Sequence, residues 1–257
     1  MLEPVEPSFQ LNGRKALVTG ASRGIGAALA RGLARFGADV AVTSRDPARL
    51  EPVVAHIAAE GRRAVPLALD MRDVPAIAAV VAETARSLGG LDILVNNAGM
   101  EEVRPSLEVD EALWERIIAT NLKGAFFAAQ AAARVMAGRG GAILNVASLT
   151  SEVGVPTAVP YGSSKAGLLG MTRGLAAEWA PLGIRVNAIG PGYFRTQLTE
   201  VFYRDEAWAA AMLAKIPAGR FGDLRDLVGA AVFLCSDAAR YVTGQVLYVD
   251  GGYMASI

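Results

Sequence analysis

The sequence predicts an α/β protein built on one doubly wound parallel sheet of seven strands, with helices on both faces. Short apolar runs alternate with segments of helical periodicity in units of about 25 to 30 residues, which is the pattern of βαβ crossovers. The length of 257 residues suits one mid-sized domain of this class. We see no linker or low-complexity tract, and we expect a single domain over residues 1–257.

The elements follow one another in a regular order. The predicted strands are short apolar runs, and they cover residues 15–19, 39–44, 64–69, 91–95, 141–147, 184–189 and 245–249. The predicted helices have apolar residues at helical spacing, and they cover residues 25–36, 47–60, 74–88, 114–136, 161–179 and 224–235. Residues 193–217 interrupt the alternation with large apolar side chains, and we predict a small helical flap there.

Composition and charge exclude several classes of protein. The 25 basic and 25 acidic residues give zero net charge, so nothing favours nucleic acid or an anionic membrane surface as a partner. One Cys and one His cannot form a disulfide or a usual zinc cluster, and we expect no metal site. His56, without a polar neighbour to orient it, disfavours a Ser-His-Asp hydrolase. Without a signal sequence or a long uncharged apolar stretch, we expect a cytoplasmic protein with no membrane segment.

A glycine-rich turn joins the first strand to the first helix. It reads Thr19-Gly20-Ala21-Ser22-Arg23-Gly24-Ile25-Gly26, and its glycines permit a tight turn with accessible backbone N–H groups. In a doubly wound sheet this turn binds the pyrophosphate of a dinucleotide at the helix N-terminus. The spacing differs from the usual G-x-G-x-x-G, and a plain turn is the alternative. The residues predicted to bind the cofactor here are Gly20, Ser22, Arg23, Gly24, Ile25 and Gly26.

The end of the second strand bears on the choice of dinucleotide. Arg45 follows this strand at the place where the adenosine ribose is expected, and Arg23 could flank it. An acidic residue there binds the ribose 2′-OH, whereas Arg accommodates a 2′-phosphate. We therefore predict that NADP(H) is preferred, with NAD(H) possible. The alternative is that Arg45 is a solvated charge, and the adjacent Asp46 favours that alternative.

Polar residues also follow the third and fourth strands. Asp70 is predicted to accept a hydrogen bond from the adenine amino group, and helix capping near Asp73 is the competing role. Asn96-Asn97-Ala98-Gly99 ends the fourth strand, at the edge where this fold binds ligands, and a plain turn is its alternative. Within it, the predicted cofactor contacts are Asn97, Ala98 and Gly99.

Three further residues have the chemistry of an acid–base site. Tyr161 and Lys165 are one turn apart at the start of a predicted helix, and Ser148 follows the preceding strand. Ionising a phenol at neutral pH costs about 4 kcal/mol. An ammonium about 4 Å away returns about 4 kcal/mol at an effective dielectric of about 20, so we expect Lys165 to lower the pKa of Tyr161. Taken singly, Tyr161 suits packing, Lys165 suits a solvated helix face, and Ser148 suits a cap at the strand end.

Taken together, the motifs resemble those of the short-chain dehydrogenase/reductase family over about residues 11–253. In chain order they are Thr19-Gly20-x-x-x-Gly24-x-Gly26, Asn96-Asn97-Ala98-Gly99, Tyr161-x-x-x-Lys165, Pro191-Gly192 and Val249-Asp250-Gly251-Gly252. Several ordered motifs over nearly the whole chain are highly specific. The resemblance implies a Rossmann fold and an NAD(P)(H)-dependent oxidoreductase that interconverts a ketone and a secondary alcohol by hydride transfer.

The resemblance also implies roles for individual residues. Tyr161 would be the general acid/base, and Lys165 would hold the nicotinamide ribose and lower the pKa of Tyr161. Ser148 would hydrogen-bond the substrate oxygen. Asn121 would support a proton-relay water, with a surface amide in a long helix as the alternative. The residues that would meet the nicotinamide and its phosphates in the later loops are Pro191, Gly192 and Thr196.

Substrate and assembly are the remaining expectations. Residues 104–105, 190–196 and 216–220 are similar to the gluconate 5-dehydrogenase branch, whose substrates are sugar acids, and the bacterial 3-oxoacyl-[acyl-carrier-protein] reductases are the alternative. Arg104 and Arg195 could bind a carboxylate, or both could be surface charges. A non-catalytic dinucleotide redox sensor is the alternative of another class, and the intact Ser148, Tyr161 and Lys165 argue against it. The family resemblance implies a homotetramer that uses residues 114–136, 161–179 and the last strand as interfaces.

Overall fold

Seven parallel strands form the centre of the protein. The structure is a computed structural model, and it describes residues 8–195, 203 and 205–257. The strands are β1 (Lys15–Val18), β2 (Asp39–Ser44), β3 (Ala64–Ala68), β4 (Ile93–Asn96), β5 (Gly141–Val146), β6 (Ile184–Pro191) and β7 (Val246–Val249). They form one sheet in the order β3-β2-β1-β4-β5-β6-β7, and every neighbouring pair is parallel. The predicted α/β fold is confirmed.

The helices lie between the strands in sequence. They are α1 (Gly24–Arg35), α2 (Glu51–Ala59), α3 (Val74–Leu88), α4 (Glu111–Ile118), α5 (Gly124–Met136), α6 (Val159–Trp179), α7 (Glu206–Leu213) and α8 (Leu224–Cys235).

Two predicted helices need correction. The helix predicted over residues 47–60 is a 3₁₀ turn, Pro47–Leu50, followed by α2, because Pro52 in the first turn of α2 has no N–H to donate. The helix predicted over residues 114–136 starts at Glu111, where Asp110 caps it by accepting from Leu113 N at 2.7 Å. It also contains a π turn, Ala119–Lys123, between α4 and α5.

The core forms two layers, one on each face of the sheet. Ala16, Leu17 and Val18 of β1 are all fully buried; Leu17 belongs to one layer, and the other two belong to the opposite layer. Helices α1, α2 and α8 cover one face, and α3, α5 and α6 cover the other. Burial of one Leu or Val side chain contributes about 1.5–3 kcal/mol, so strands that are apolar on both faces hold both layers.

A crevice opens where the strand order reverses. The connection after β1 runs through α1 to one face, whereas the connection after β4 runs through α5 to the other. The glycine-rich turn, the segment after β4 and Ser148 follow the carboxyl ends of β1, β4 and β5. These three segments therefore lie together at one edge of the sheet, as predicted.

The structure describes part of the predicted flap at residues 193–217. It contains α7, and Tyr193 and Ile216 pack in a small apolar cluster with Tyr253. Residues 196–202 and 204 lie outside the described residues. Within the described ranges, no helix is both long and apolar enough to cross a lipid bilayer.

Candidate active site

The glycine-rich turn after β1 packs directly against the segment after β4. Gly20 has a φ of +66°, and a Cβ added to it would lie 2.7 Å from Ala98 Cα. A Cβ at Gly26 would lie 2.4 Å from the Gly20 carbonyl oxygen and 2.3 Å from Asn97 Nδ2. Larger residues at these two positions would force the two segments apart.

Helix α1 begins at Gly24, at the edge of the crevice, and its first-turn N–H groups have no partner within the helix. Arg23 precedes the helix in an extended conformation, and its side chain offers no acceptor to these donors. The donors and the helix dipole together suit a phosphate. Ser22, Ile25 and Gly26, also predicted to contact the cofactor, lie in the same turn.

Asn97 and Thr19 hold the turn in place. Asn97 Nδ2 donates to the carbonyl oxygens of Thr19 and Gly20 at 2.9 and 3.0 Å. Thr19 Oγ1 in turn accepts from the backbone N of Asn97 and of Ala98, each at 3.1 Å. The Asn97 amide therefore shapes the cofactor turn through contacts within the protein, and Ala98 lies beside it.

Arg45 and Asp70 follow the neighbouring strands β2 and β3. Hydrogen bonds from Arg72 hold the pKa of the Asp70 carboxyl below its usual range, with a smaller contribution from the charge of Arg45. Arg72 donates to Asp70 Oδ1 from its backbone N at 2.9 Å and from Nε at 3.0 Å. Asp73 caps α3 by accepting from Ala76 N at 3.0 Å. The capping role therefore belongs to Asp73, and the adenine contact of Asp70 stays a prediction.

Ser148, Tyr161 and Lys165 come together beyond the carboxyl end of β5. Ser148 Oγ accepts from Thr150 N at 3.2 Å, which fixes the serine at the start of a short 3₁₀ turn. Tyr161 and Lys165 are one turn apart in α6, with Lys165 Nζ 5.5 Å from the centroid of the Tyr161 ring. Ser148 also acts on the Tyr161 hydroxyl, where it lowers the pKa of the phenol. The three side chains form one cluster.

Lys165 is buried, with 4 % of its surface exposed. Its Nζ donates to the carbonyl oxygen of Val146, the last residue of β5, at 2.7 Å. Burial lowers the pKa of Lys165 to about 8, and the charge of Glu101 opposes that shift. The amine is therefore anchored to the sheet and titrates close to neutral pH.

The protein's own groups keep Tyr161 protonated. Burial raises the pKa of Tyr161 above its usual value, the charge of Glu101 raises it further, and the Ser148 side chain opposes both effects. We expected Lys165 to lower this pKa, but the groups of the protein shift it upward, because burial and the charge of Glu101 set the direction. A protonated phenol is suited to donate a proton to a carbonyl oxygen.

Asn121 lies in the π turn between α4 and α5 and is almost fully buried. Its Oδ1 accepts from Met100 N at 2.8 Å, and its Nδ2 donates to Met100 O at 2.9 Å and to Ser164 Oγ at 3.1 Å. A Cβ added to Gly99 would lie 3.4 Å from Asn121 Oδ1 and 3.7 Å from Lys165 Nζ. The alternative of a surface amide is wrong, because Asn121 ties the loop after β4 to the catalytic cluster.

Comparison with known proteins agrees with this geometry. The family model described as Enoyl-(Acyl carrier protein) reductase matches residues 20–254. Gluconate 5-dehydrogenase from Gluconobacter oxydans (strain 621H) is 43% identical over 250 residues, which are 97% of this chain and 98% of that protein. A solved structure from Sinorhizobium meliloti 1021, classed with the short-chain alcohol dehydrogenases, has a TM-score of 0.96 and 64% identity, covering 98% of this chain and all of that one.

A third similar protein has a solved structure that contains two ligands. The gluconate 5-dehydrogenase from Burkholderia cenocepacia J2315, in complex with NADP and tartrate, has a TM-score of 0.93 and 39% identity over 97% of this chain and 98% of that one. The chain belongs to the short-chain dehydrogenase/reductase family. As a member of that family it is an oxidoreductase that acts on CH–OH groups and interconverts a ketone and a secondary alcohol.

In this short-chain dehydrogenase/reductase the loop after β6 borders the same crevice. Pro191 ends β6, and Gly192 N donates to Val249 O at 3.0 Å. A Cβ at Gly192 would lie 2.7 Å from Asp250 Cα, so the loop packs tightly against the end of β7. Thr196, the last predicted cofactor contact, lies outside the described residues.

The two arginines predicted as carboxylate ligands have different surroundings. Arg104 forms ion pairs with Glu102 and, at 3.2 Å, with Asp110. The Arg195 guanidinium carbon lies 5.2 Å from the centroid of the Tyr203 ring and 5.5 Å from that of Phe221. Arg104 is thus committed to acidic partners within its own loop, whereas Arg195 stacks on two aromatic rings.

Sequence reasoning assigned no individual role to Glu101. Its carboxyl is half-buried, and burial raises its pKa while the charge of Lys165 opposes that shift. The signal was its place, directly after Asn96-Asn97-Ala98-Gly99-Met100, but an acidic residue in a loop has no pattern that distinguishes a site residue from a solvated one. In the described residues no group of three or more His, Cys, Asp or Glu side chains is placed to hold a metal ion.

Proposed function

We propose that this protein catalyses the NADP(H)-dependent interconversion of a keto sugar acid and the corresponding hydroxy acid, as a gluconate 5-dehydrogenase does. The observation that carries the reaction is the cluster of Ser148, Tyr161 and Lys165 at the carboxyl edge of the sheet. The sugar acid is supported by the curated relative from Gluconobacter oxydans.

Each residue of the cluster has a role in the proposed mechanism. Tyr161 donates its proton to the substrate carbonyl oxygen during reduction and takes it back during oxidation. Ser148 hydrogen-bonds the same oxygen as negative charge develops on it. Lys165, held by Val146 O, places a positive charge beside the phenol and would hold the ribose of a bound nicotinamide. Asn121 fixes the loop after β4 and, as proposed, supports the water that resupplies the proton.

The dinucleotide supplies or accepts the hydride when bound. The start of α1 has no side-chain cap, and the turn before it has no room for a side chain at Gly20 or Gly26. Both features suit the pyrophosphate of the dinucleotide. Arg45, exposed at the end of β2, would take the 2′-phosphate, with Arg23 nearby in the turn. The NADP in the Burkholderia cenocepacia structure supports this preference.

Substrate recognition is assigned to the loops over the crevice. Arg195 is the better candidate for the substrate carboxylate, because Arg104 already pairs with Glu102 and Asp110. Residues 193–217 are proposed as the substrate flap of a single domain, residues 1–257. We also propose that the enzyme acts in the cytoplasm as a homotetramer.

The test is a set of initial rates with NADPH and with NADH. The substrates are 5-ketogluconate, an acetoacetyl thioester and a simple ketone. We expect reduction of 5-ketogluconate with NADPH well above the rates of the other pairs. Turnover of the thioester alone would contradict the sugar acid and indicate an acyl reductase, and tight NADPH binding without any turnover would indicate a redox sensor.

A further inference from the structure

Glu101 occupies a fixed place next to the catalytic cluster. The residue before it, Met100, is held through both its backbone N and its backbone O by the Asn121 amide. The residue before that, Gly99, lies against Asn121 and Lys165. The position of Glu101 is therefore set by the same contacts that build the active site.

Two carboxylates of this loop, those of Glu102 and Asp110, form ion pairs with arginines. Glu102 pairs with Arg104 and, at 3.3 Å, with Arg116, and Asp110 also pairs with Arg104. Both arginines are thus used by the carboxylates that lie beyond Glu101. Within the described part of the chain, Glu101 has neither a hydrogen bond nor an ion pair, although it is half-buried.

The charge of Glu101 acts on the catalytic cluster itself. Its negative charge raises the pKa of Tyr161 and supports the charged form of Lys165. Solvent still reaches this half-buried carboxyl, so a substrate that displaces the water has to replace the hydrogen bonds that the water made. An ionised carboxylate only accepts hydrogen bonds, so the partner that fits must bring a donor and must not be an anion.

We propose that Glu101 is a specificity-determining residue that accepts a hydrogen bond from a substrate hydroxyl next to the reacting carbonyl. The substrate class is then a hydroxylated ketone whose own carboxylate faces away from Glu101. This inference rests on the proposed ketone–alcohol activity. It deepens that activity by assigning the group that recognises the hydroxyl on the carbon next to the carbonyl. A site that binds a hydroxyl rejects an analogue that lacks it, because the bound analogue would displace water from the carboxyl and offer no donor in its place.

Two matched ketones test the inference. Hydroxyacetone and 2-butanone differ by one hydroxyl in place of one methyl group, and the readout is the ratio of their kcat/KM values with NADPH. In Glu101→Leu we expect this ratio to fall about ten- to a hundredfold, the size of a lost hydrogen bond to a charged group. Glu101→Gln keeps an acceptor oxygen and should lose less. The exposed Glu108 of the same loop gives the control, Glu108→Gln, with an unchanged ratio.

The outcomes separate the inference from the proposed function. An unchanged ratio in Glu101→Leu, with both rates altered equally, would overturn the inference and leave Glu101 as a residue that acts only through Tyr161. Failure to reduce 5-ketogluconate would count against the sugar acid, while the ratio for the two ketones would still report on Glu101. A wild-type protein that reduces 5-ketogluconate but does not prefer hydroxyacetone to 2-butanone would overturn the inference and leave the proposed function standing.

Discussion

At the scale of single residues, the active site depends on buried groups whose titration is shifted by their surroundings. Lys165 is an amine inside the protein, held to Val146 O at 2.7 Å, and its pKa is lowered to about 8 by burial. In the unfolded chain a lysine titrates near about 10.4. Between these two values the unfolded chain binds more protons than the folded protein, so the free energy of unfolding rises with pH.

Lys165→Met should remove that rise. Below pH about 8 the amine is charged in both states, and the group contributes no pH dependence. We expect the free energy of unfolding to gain more between pH 7.5 and pH 9.5 in the wild type than in Lys165→Met. Urea unfolding at one protein concentration measures both values at the two pH values. Parallel changes in the two proteins would contradict the shifted pKa.

Arg45 is expected to set the choice of dinucleotide. Arg45→Asp replaces a partner of the 2′-phosphate by an acceptor for a ribose 2′-OH, so the ratio of kcat/KM for NADPH to that for NADH should fall by about tenfold to a hundredfold. Arg49→Asp makes the same change of charge at another exposed position a few residues later and should leave the ratio unchanged. Equal effects of the two substitutions would assign the preference to net charge alone.

Spacing placed Tyr161 and Lys165 on one helical turn, and the ordered motifs of the family resemblance implied their roles and that of Ser148. The direction of the Tyr161 pKa shift could not be predicted. That shift depends on how deeply the phenol is buried and on Glu101, which reaches the cluster only through the fold. Short spacings carry over from sequence to structure, whereas electrostatic surroundings are built from segments far apart in the chain.

At the scale of elements, the turn between β1 and α1 is the most restrictive part of the site. Gly26 has no room for a methyl group, since a Cβ would meet the Gly20 oxygen at 2.4 Å and Asn97 Nδ2 at 2.3 Å. The turn and the segment after β4 are therefore a single packed unit. A change in either should reach the pyrophosphate site.

Gly26→Ala should weaken NADPH binding about tenfold or more and lower the free energy of unfolding by about 1–3 kcal/mol, as overpacking does. Gly229→Ala is the matched control, because a Cβ there meets nothing within 4 Å and lies on the exposed side of α8. The control should be neutral or stabilising by about 0.5–1 kcal/mol. NADPH titration and urea unfolding give the two quantities. If both variants behaved alike, the turn would not be as tightly packed as the structure shows.

The π turn at Ala119–Lys123 shows why a helix can be predicted from the sequence while an irregular turn inside it cannot. Apolar residues recur at helical spacing through this stretch, so the sequence predicts an unbroken helix over residues 114–136. The extra residue of a π turn changes which side chain faces inward, and here it buries Asn121 against Met100 and Ser164. That arrangement depends on hydrogen bonds to other segments and leaves no periodic signal.

At the scale of the whole molecule, a parallel sheet of seven strands with helices on both faces could be predicted from the alternation of strands and helices, whereas the order of the strands comes from the structure. The surface is less predictable. Helices α4, α5 and α6 border an apolar groove lined by Ile118, Leu122, Phe126 and Met171. An apolar groove on these helices supports the proposed tetramer interface.

Light scattering in solution should give four times the mass of one chain. The number of subunits is what the family resemblance implies, and the largely apolar groove on α4, α5 and α6, which burial between subunits would remove from water, supports an interface there. The mass should stay constant on dilution across the concentrations used for the rate measurements. A stable monomer at all concentrations would contradict the assembly.

The central claim is that Tyr161 gives its proton to the substrate, and Tyr161→Phe tests it most directly. The ring remains in its half-buried place while the hydroxyl beside Ser148 is lost. We measure turnover of 5-ketogluconate with NADPH, together with the dissociation constant of NADPH, and use Tyr241→Phe at a fully exposed tyrosine as the control. We predict a fall in kcat of about a hundredfold or more with NADPH binding nearly unchanged. Turnover equal to that of the wild type would contradict the account.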